Sequence, residues 1–111
     1  MRGTVKIGGK EVGMLANAAS PHYYKQIFKE DFLQRSQETP PDTSIFEKMG
    51  FVMAKQAEGH THREMMEITL DDFFEWLIDF EAMDVLESIG DISDLYMKQT
   101  VATSVPKQKG D

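Results

Sequence analysis

Hydrophobic and polar positions alternate at the start of the chain, and the spacing then changes to three and four residues. Residues 4–7 and 10–13 alternate on either side of Gly8 and Gly9, a pair that tolerates the positive φ angles of a two-residue turn. This pattern predicts a small N-terminal β-hairpin. Helical spacing dominates from Ser20 onward, so we expect a mainly α protein.

The first helical pattern follows Ser20 and Pro21, which suit a helix cap and a first turn. Its apolar positions predict one face of a continuous helix, made of Tyr23, Tyr24, Ile27, Phe28 and Phe32. Residues 37–43 contain two prolines and no apolar side chain besides them, which predicts an exposed loop.

A second helix is predicted to begin at Thr43 or Ser44 and to end near Gly59. Gly50 lies inside it, although a glycine within a helix costs about 1 kcal/mol relative to alanine. The polar residues 58–67 predict a loop or a frayed helix end rather than a core element. The apolar positions of this helix are Ile45, Phe46, Met49, Val52, Met53 and Ala57.

A third helix is predicted from Leu70, because Thr69 and Asp72 resemble a capping box with aspartate in place of glutamate. Its core-facing stripe is expected to be Leu70, Phe73, Phe74, Leu77 and Ile78. A second apolar row lies beside that stripe, and we take it as the candidate partner-binding site: Phe73, Trp76, Phe80 and Met83. The pattern leaves open whether this second row is covered by the last helix and the hairpin or exposed to a partner.

The last helical pattern runs to Gln99, bent or interrupted at Gly90, and carries Met83, Leu86, Ile89, Ile92, Leu95 and Tyr96. Residues 100–111 are polar and predict a flexible tail. The expected architecture is therefore one helical domain over residues 1–99, with the N-terminal hairpin, a bundle of about four helices and the tail.

The charge balance narrows the possible partners. Nineteen acidic residues against twelve basic ones give a net charge of −7, which would repel nucleic acid and anionic membrane. The chain has no cysteine, and no apolar run approaches the eighteen residues of a membrane span. These features predict a soluble protein of a reducing cytosol.

Few residues of the sequence suit metal binding or catalysis. His60 and His62, with Glu64 and Glu67, offer nitrogen and oxygen ligands, but two histidines two residues apart lack the i, i+4 spacing of a helical zinc site. The acidic residues near the third helix suit its N-terminal dipole and a solvated outer face. They are Asp71, Asp72, Glu75, Asp79, Glu81 and Asp84. We therefore expect no enzyme, no metal site and no cofactor.

Four segments together resemble a known family. Residues 6–13 read KIGGKEVG, and residues 16–33 read ANAASPHYYKQIFKEDFL. Residues 70–77 read LDDFFEWL, and Leu95 and Tyr96 precede a polar ending with SVPK at residues 104–107. In this order they resemble the tail assembly chaperones of long-tailed bacteriophages and prophages of Gram-positive bacteria.

The resemblance implies a protein that coats the aggregation-prone tape measure protein while tail tube subunits polymerise around it. It implies the cytoplasm of the bacterial host as the location, and absence from the mature virion. It also implies a frameshifted long form as a further partner, this chain being the short form, and leaves self-association open. A small structural tail protein, of the completion or connector type, is the alternative.

Overall fold

A two-stranded hairpin and six helices, in that order, make up the residues that the structure describes. It is a computed structural model, and it describes residues 1–40 and 42–104. The predicted mainly helical fold with an N-terminal hairpin is confirmed, but the described chain has six helices instead of about four. The elements are β1 (Arg2–Ile7), β2 (Lys10–Leu15), α1 (Ser20–Phe28), α2 (Phe32–Ser36), α3 (Ser44–Ala57), α4 (His62–Met66), α5 (Leu70–Ile78) and α6 (Ala82–Ser104).

The hairpin turn depends on two glycines. Gly8 and Gly9 have φ angles of 59° and 87°, which confirms the predicted two-residue turn. A Cβ atom on Gly8 would also lie 2.2 Å from a carboxylate oxygen of Asp84, so any larger residue there would require the Asp84 side chain to move. The strands pair antiparallel with Val5 opposite Val12, and Val5 is buried against the helices.

The chain turns between α1 and α2, so the predicted continuous helix through Phe32 is wrong. Lys29 ends α1 in a left-handed conformation with a φ of 60°. Asp31 then caps α2, because its Oδ1 accepts a hydrogen bond from the Gln34 amide at 2.9 Å. Phe32 still reaches the core, and its ring lies 5.2 Å from that of Tyr24, centroid to centroid.

Ser20 connects α1 to α3 instead of capping α1. The N-cap position belongs to Ala19, which makes no side-chain cap. The buried Ser20 hydroxyl accepts a hydrogen bond from the Asn17 amide at 3.0 Å and donates one to Gln56 Oε1 at 2.6 Å. The predicted cap is therefore wrong, and the serine satisfies a polar group of α3 inside the core.

A polar cluster around Glu30 connects α1, α2 and α3. The Glu30 carboxylate accepts hydrogen bonds from the Tyr24 hydroxyl and from Lys48 Nζ at 3.2 Å, and Arg35 Nε lies 3.6 Å away. Arg35 also pairs with Asp42 in the loop before α3. Partial burial alone would raise the pKa of Glu30, but these donors and cations hold it below its ordinary value. Burial raises the pKa of Tyr24 far above its ordinary value.

Helix α3 lies at the centre of the fold and packs against β2, α1, α2, α5 and α6. A Cβ on Gly50 would lie 2.9 Å from Ile92 Cδ1, so the glycine allows α3 and α6 to approach closely. Gly59 follows the helix with a φ of 86°, as expected for its predicted end. The buried residues of α3 are Ile45, Met49, Gly50, Phe51, Val52, Met53, Ala54 and Gln56.

The polar stretch 58–67 contains a short helix, so the loop prediction is wrong for His62–Met66. Thr61 and Glu64 form a capping box, with the Thr61 amide donating to Glu64 Oε1 at 2.8 Å and the Glu64 amide donating to Thr61 Oγ1 at 3.2 Å. Met65 is buried. The buried Met65, the capping box and the contact of His62 with Tyr23 of α1 hold this short helix in place.

Helix α6 runs through Gly90 and beyond Gln99, where we predicted its end, as far as Ser104. The predicted tail therefore begins with helical residues, and its remainder, residues 105–111, lies outside the described residues. Val85, Ile92 and Leu95 face inward and join the hairpin, α1, α2, α3 and α5 in one hydrophobic core.

Candidate functional site

The capping box at the start of α5 fixes where the helix begins. The Asp72 amide donates to Thr69 Oγ1 at 3.4 Å, and the Thr69 amide donates to Asp72 Oδ2 at 2.9 Å. Both predicted hydrogen bonds are present, so the shorter aspartate replaces glutamate in this motif. With the start fixed, the spacing of the apolar residues assigns each of them to one side of α5.

The buried side of α5 is aromatic. Phe73 is only 4% exposed, and its ring centroid lies 5.0 Å from that of Phe28 and 5.4 Å from that of Phe51. Trp76 lies 5.6 Å from Phe51 and 5.1 Å from Phe80, again between ring centroids. These tilted and edge-to-face contacts attach α5 to α1 and α3.

The opposite side of α5 is apolar and exposed, which reverses part of the sequence prediction. Leu70, Phe74 and Ile78 were expected to face the core, yet they are 47%, 52% and 79% exposed. That expectation is wrong because the rings of α1 and α3 pack against the neighbouring row, the one that contains Trp76. Of the predicted stripe, Phe73 and Leu77 pack in or against the core, and the half-exposed Phe74 contacts it through the Phe73 ring, 5.5 Å away between centroids.

The four predicted partner-binding residues differ in accessibility. Phe73 is buried, and Trp76 and Phe80 are partly buried and packed against the core. Met83 is 58% exposed. The structure therefore leaves one of the four side chains mostly accessible, and the partner-binding role of the set stays a prediction.

Two short rows of exposed apolar side chains lie on consecutive helices. The α5 row consists of Leu70, Phe74 and Ile78, spaced four residues apart so that each is the neighbour of the next on the helix surface. The α6 pair consists of Met83 and Leu86, spaced three residues apart. Large apolar side chains in rows of this kind are typical of protein-binding surfaces.

An open groove separates the end of α5 from the start of α6. We call it the α5–α6 groove; its volume is about 390 Å³. Its walls are mainly apolar, and Leu86 of the exposed α6 pair is one of them. The lining residues are Glu47, Leu77, Phe80, Glu81, Ala82, Val85 and Leu86.

Negative charge surrounds both apolar rows. Residues 64–94, which include most of α4, all of α5 and the first half of α6, contain eleven acidic residues and no lysine or arginine. Residues 1–63 contain nine basic and seven acidic residues. The net charge of −7 therefore arises from the part of the chain that carries the exposed apolar rows, and a cationic partner would be attracted there.

Some of these acidic residues have structural roles. Asp72 caps α5, and Asp84 Oδ2 accepts a hydrogen bond from the Glu81 amide at 3.2 Å, just before α6 begins. Carboxylates that accept amide hydrogen bonds at helix starts are also favoured by the helix dipole. The local geometry explains these two side chains without catalysis.

The two histidines of the candidate metal site point to different partners. His60 Nε2 lies 3.0 Å from Glu58 Oε1, and His60 Nδ1 lies 3.6 Å from Glu64 Oε1. His62 Nδ1 lies 2.8 Å from the Tyr23 hydroxyl, which connects α4 to α1. Within residues 1–40 and 42–104, no group of three or more histidine, cysteine or carboxylate side chains is placed to hold a metal ion.

Among the described helices, none is both long enough and apolar enough to cross a bilayer.

The sequence pattern did not identify two residues of the groove. Leu86 belonged to the predicted apolar face of the last helix, but α6 turns Val85 inward instead. That face is therefore wrong for Leu86 and Met83, which are 50% and 58% exposed. Glu47 is a first-turn acid of α3, where glutamate is common for helix-dipole reasons alone. Its position beside the groove arises only from the packing of α3 against the later helices.

Comparison with known proteins adds no relative: no family model, no curated protein and no solved structure matches the chain. The relation to tail assembly chaperones therefore stays a prediction that rests on the four segments named above.

Proposed function

We propose that this protein is a non-catalytic binding protein, and specifically a phage tail assembly chaperone that holds the tape measure protein in the bacterial cytoplasm. The observation that carries the binding role is the α5 row, Leu70, Phe74 and Ile78, which is exposed within an acidic segment. The identity of the client rests on the resemblance alone.

The binding mode follows from the chemistry of the two apolar rows. A long helical client presents amphipathic helices whose apolar faces need temporary cover, and helix-against-helix packing provides it. The α5 row and Met83 of the α6 pair supply apolar contacts, while the surrounding carboxylates favour basic client segments and keep the empty chaperone dispersed.

Reversibility follows from multiple weak contacts. Several copies along one client would give avidity without strong single contacts, so that arriving tail tube subunits can displace them. In this proposal the frameshifted long form shares the same helical surface, and neither form remains in the mature virion.

Co-expression with the tape measure protein tests the proposal. The chaperone should raise the soluble fraction of the client and co-purify with it. A Phe74→Ser, Ile78→Ser double variant should lose both effects but stay folded, with a loss of about 1–3 kcal/mol in unfolding free energy, because Ile78 is 79% exposed whereas Phe74 is 52% exposed and contacts the Phe73 ring.

The control is Leu33→Ser, which removes an apolar side chain that is 66% exposed on α2, away from the α5 row. It should leave client binding intact. If Leu33→Ser lost as much client binding as the double variant, non-specific hydrophobic association rather than the α5 row would hold the client. Abundant peptides of this chain in purified virions would reject the transient role and favour the tail completion or connector alternative.

A further inference from the structure

The α5–α6 groove combines an apolar interior with a carboxylate from a third helix. Leu77 and Phe80 form one side, and Val85 and Leu86 form the other. Glu47 enters from α3, near the centre of the fold, and is only partly exposed. A groove with this lining suits a side chain that has a long apolar stem and a charged end.

Glu47 has no cation of its own. Within the described part of the chain, its carboxylate makes no hydrogen bond and no ion pair. Its neighbour Lys48 forms a salt bridge with a different carboxylate, because Lys48 Nζ lies 3.2 Å from Glu30 Oε2. Burial raises the pKa of Glu47, Lys48 opposes that rise, and Asp42 adds to it. The ionised carboxylate is therefore destabilised where it stands, and an arriving cation would stabilise it.

Further groups around the groove also favour a positive charge. Glu81 is a second carboxylate in its lining. Lys10 Nζ already lies 5.4 Å from the centroid of the Phe80 ring and 3.5 Å from the Asp79 carbonyl oxygen. The Phe80 ring therefore already carries a cation of the chain itself, and the attraction of the groove for a second cation comes from Glu47 and Glu81.

We propose that the α5–α6 groove receives the side chain of an arginine or lysine from an amphipathic helix of the protein partner. The stem packs against Leu77, Val85 and Leu86, and the cation pairs with Glu47 and Glu81. The helical nature of the partner rests on the proposed function; the preference for a cation rests on the groove itself.

Two copies of this chain do not suit the groove when they meet through this same face. Residues 64–94 hold eleven acidic residues without a single lysine or arginine, so two copies meeting through this face would repel each other. The same charge would attract a basic helix, whose apolar face can cover the α5 row while one cation enters the groove.

The groove can be tested without knowing the partner, by NMR titration with n-butylguanidinium and with its neutral analogue N-butylurea. We expect n-butylguanidinium to shift the amide signals of Leu77, Glu81 and Leu86, and N-butylurea to leave them in place. Glu47→Gln should weaken the guanidinium binding about tenfold, as expected for one charge-assisted contact. Equal response to both probes, or equal binding by Glu47→Gln, would overturn the proposal.

Glu87→Gln is the control, because Glu87 is an exposed acid of α6 that does not line the groove. It should bind n-butylguanidinium like the unaltered protein, and a loss equal to that of Glu47→Gln would overturn the proposal by assigning binding to the diffuse negative field. Thermal melting of both variants checks that they are folded.

Measurements of client binding distinguish a failure of the groove proposal from a failure of the proposed chaperone function. If Glu47→Gln holds the client normally while Phe74→Ser, Ile78→Ser does not, the groove proposal fails and the chaperone proposal stands. If n-butylguanidinium binds as expected while no tape measure client is held, the chaperone proposal fails and the cation preference of the groove stands.

Discussion

The indole ring of Trp76 packs edge-on against the ring of Phe51, and the two centroids lie 5.6 Å apart. Because Trp76 belongs to α5 and Phe51 to the central α3, this contact turns one apolar row of α5 inward. The opposite row, Leu70, Phe74 and Ile78, is left exposed as a result. Together with the packing of Phe73 against Phe28 and Phe51, this aromatic pair determines which side of the helix is accessible.

Trp76→Ala should destabilise the protein, because the indole packs against the core through Phe51 and Phe80. We expect a loss of about 2–3 kcal/mol in unfolding free energy, below the range for a fully buried tryptophan since this one is partly exposed. Urea denaturation followed by circular dichroism measures it. Ile78→Ala, on the exposed side, should change stability by less than about 0.5 kcal/mol; equal losses would contradict the orientation of α5.

Gly50 and Gly90 both lie inside helices but should respond oppositely to alanine. A Cβ on Gly50 would lie 2.9 Å from Ile92 Cδ1, so Gly50→Ala should destabilise the fold by about 1–3 kcal/mol through overpacking. A Cβ on Gly90 meets no atom within 4 Å, so Gly90→Ala should stabilise the fold by about 0.5–1 kcal/mol. Thermal melting of both variants shows whether each substitution raises or lowers the stability of the protein. A change in the same direction for both would contradict the close approach of α3 and α6.

Thr69→Ala should cost about 1 kcal/mol, because the Asp72 amide at the start of α5 loses its hydrogen-bond acceptor. Thr69→Ser keeps the hydroxyl and should stay close to the unaltered protein. Chemical denaturation of the three proteins under one condition makes the comparison. If alanine and serine are equivalent at this position, the capping box does not hold α5 in place.

Glu30 and Glu47 should affect stability with opposite pH dependence. The pKa of Glu30 is lowered in the fold, so its contribution is full above its ordinary value of 4.5 and is lost as the pH falls through the lower folded-state value. Glu30→Gln should therefore be less stable than the unaltered protein at pH 7, and the difference should shrink toward pH 3.

The pKa of Glu47 is raised, so its stabilising contribution is present below its ordinary value of 4.5 and is lost as the pH rises through the higher folded-state value. Glu47→Gln should consequently be at least as stable as the unaltered protein at pH 7. Urea unfolding across this pH range measures both variants. A destabilised Glu47→Gln at pH 7 would mean that the carboxylate has a partner inside the fold.

Local sequence signals predicted much of the secondary structure, because each depends on neighbours along the chain. Gly8 and Gly9 marked the hairpin turn, and Thr69 with Asp72 marked the start of α5. A similar pair, Thr61 and Glu64, was present but assigned to a loop, and it would have revealed α4. The break at Lys29 carried no glycine or proline, so it was not predicted.

The amino-acid sequence by itself determined that α5 has two apolar rows, that acidic residues surround them, and that no cysteine chemistry is available. Only the tertiary structure decided which row is exposed and that Glu47 of α3 meets α5 and α6 at one groove. The reason is physical: helical periodicity describes one helix at a time. The burial of a row depends on the shapes of the rings that α1 and α3 bring to it from elsewhere in the chain.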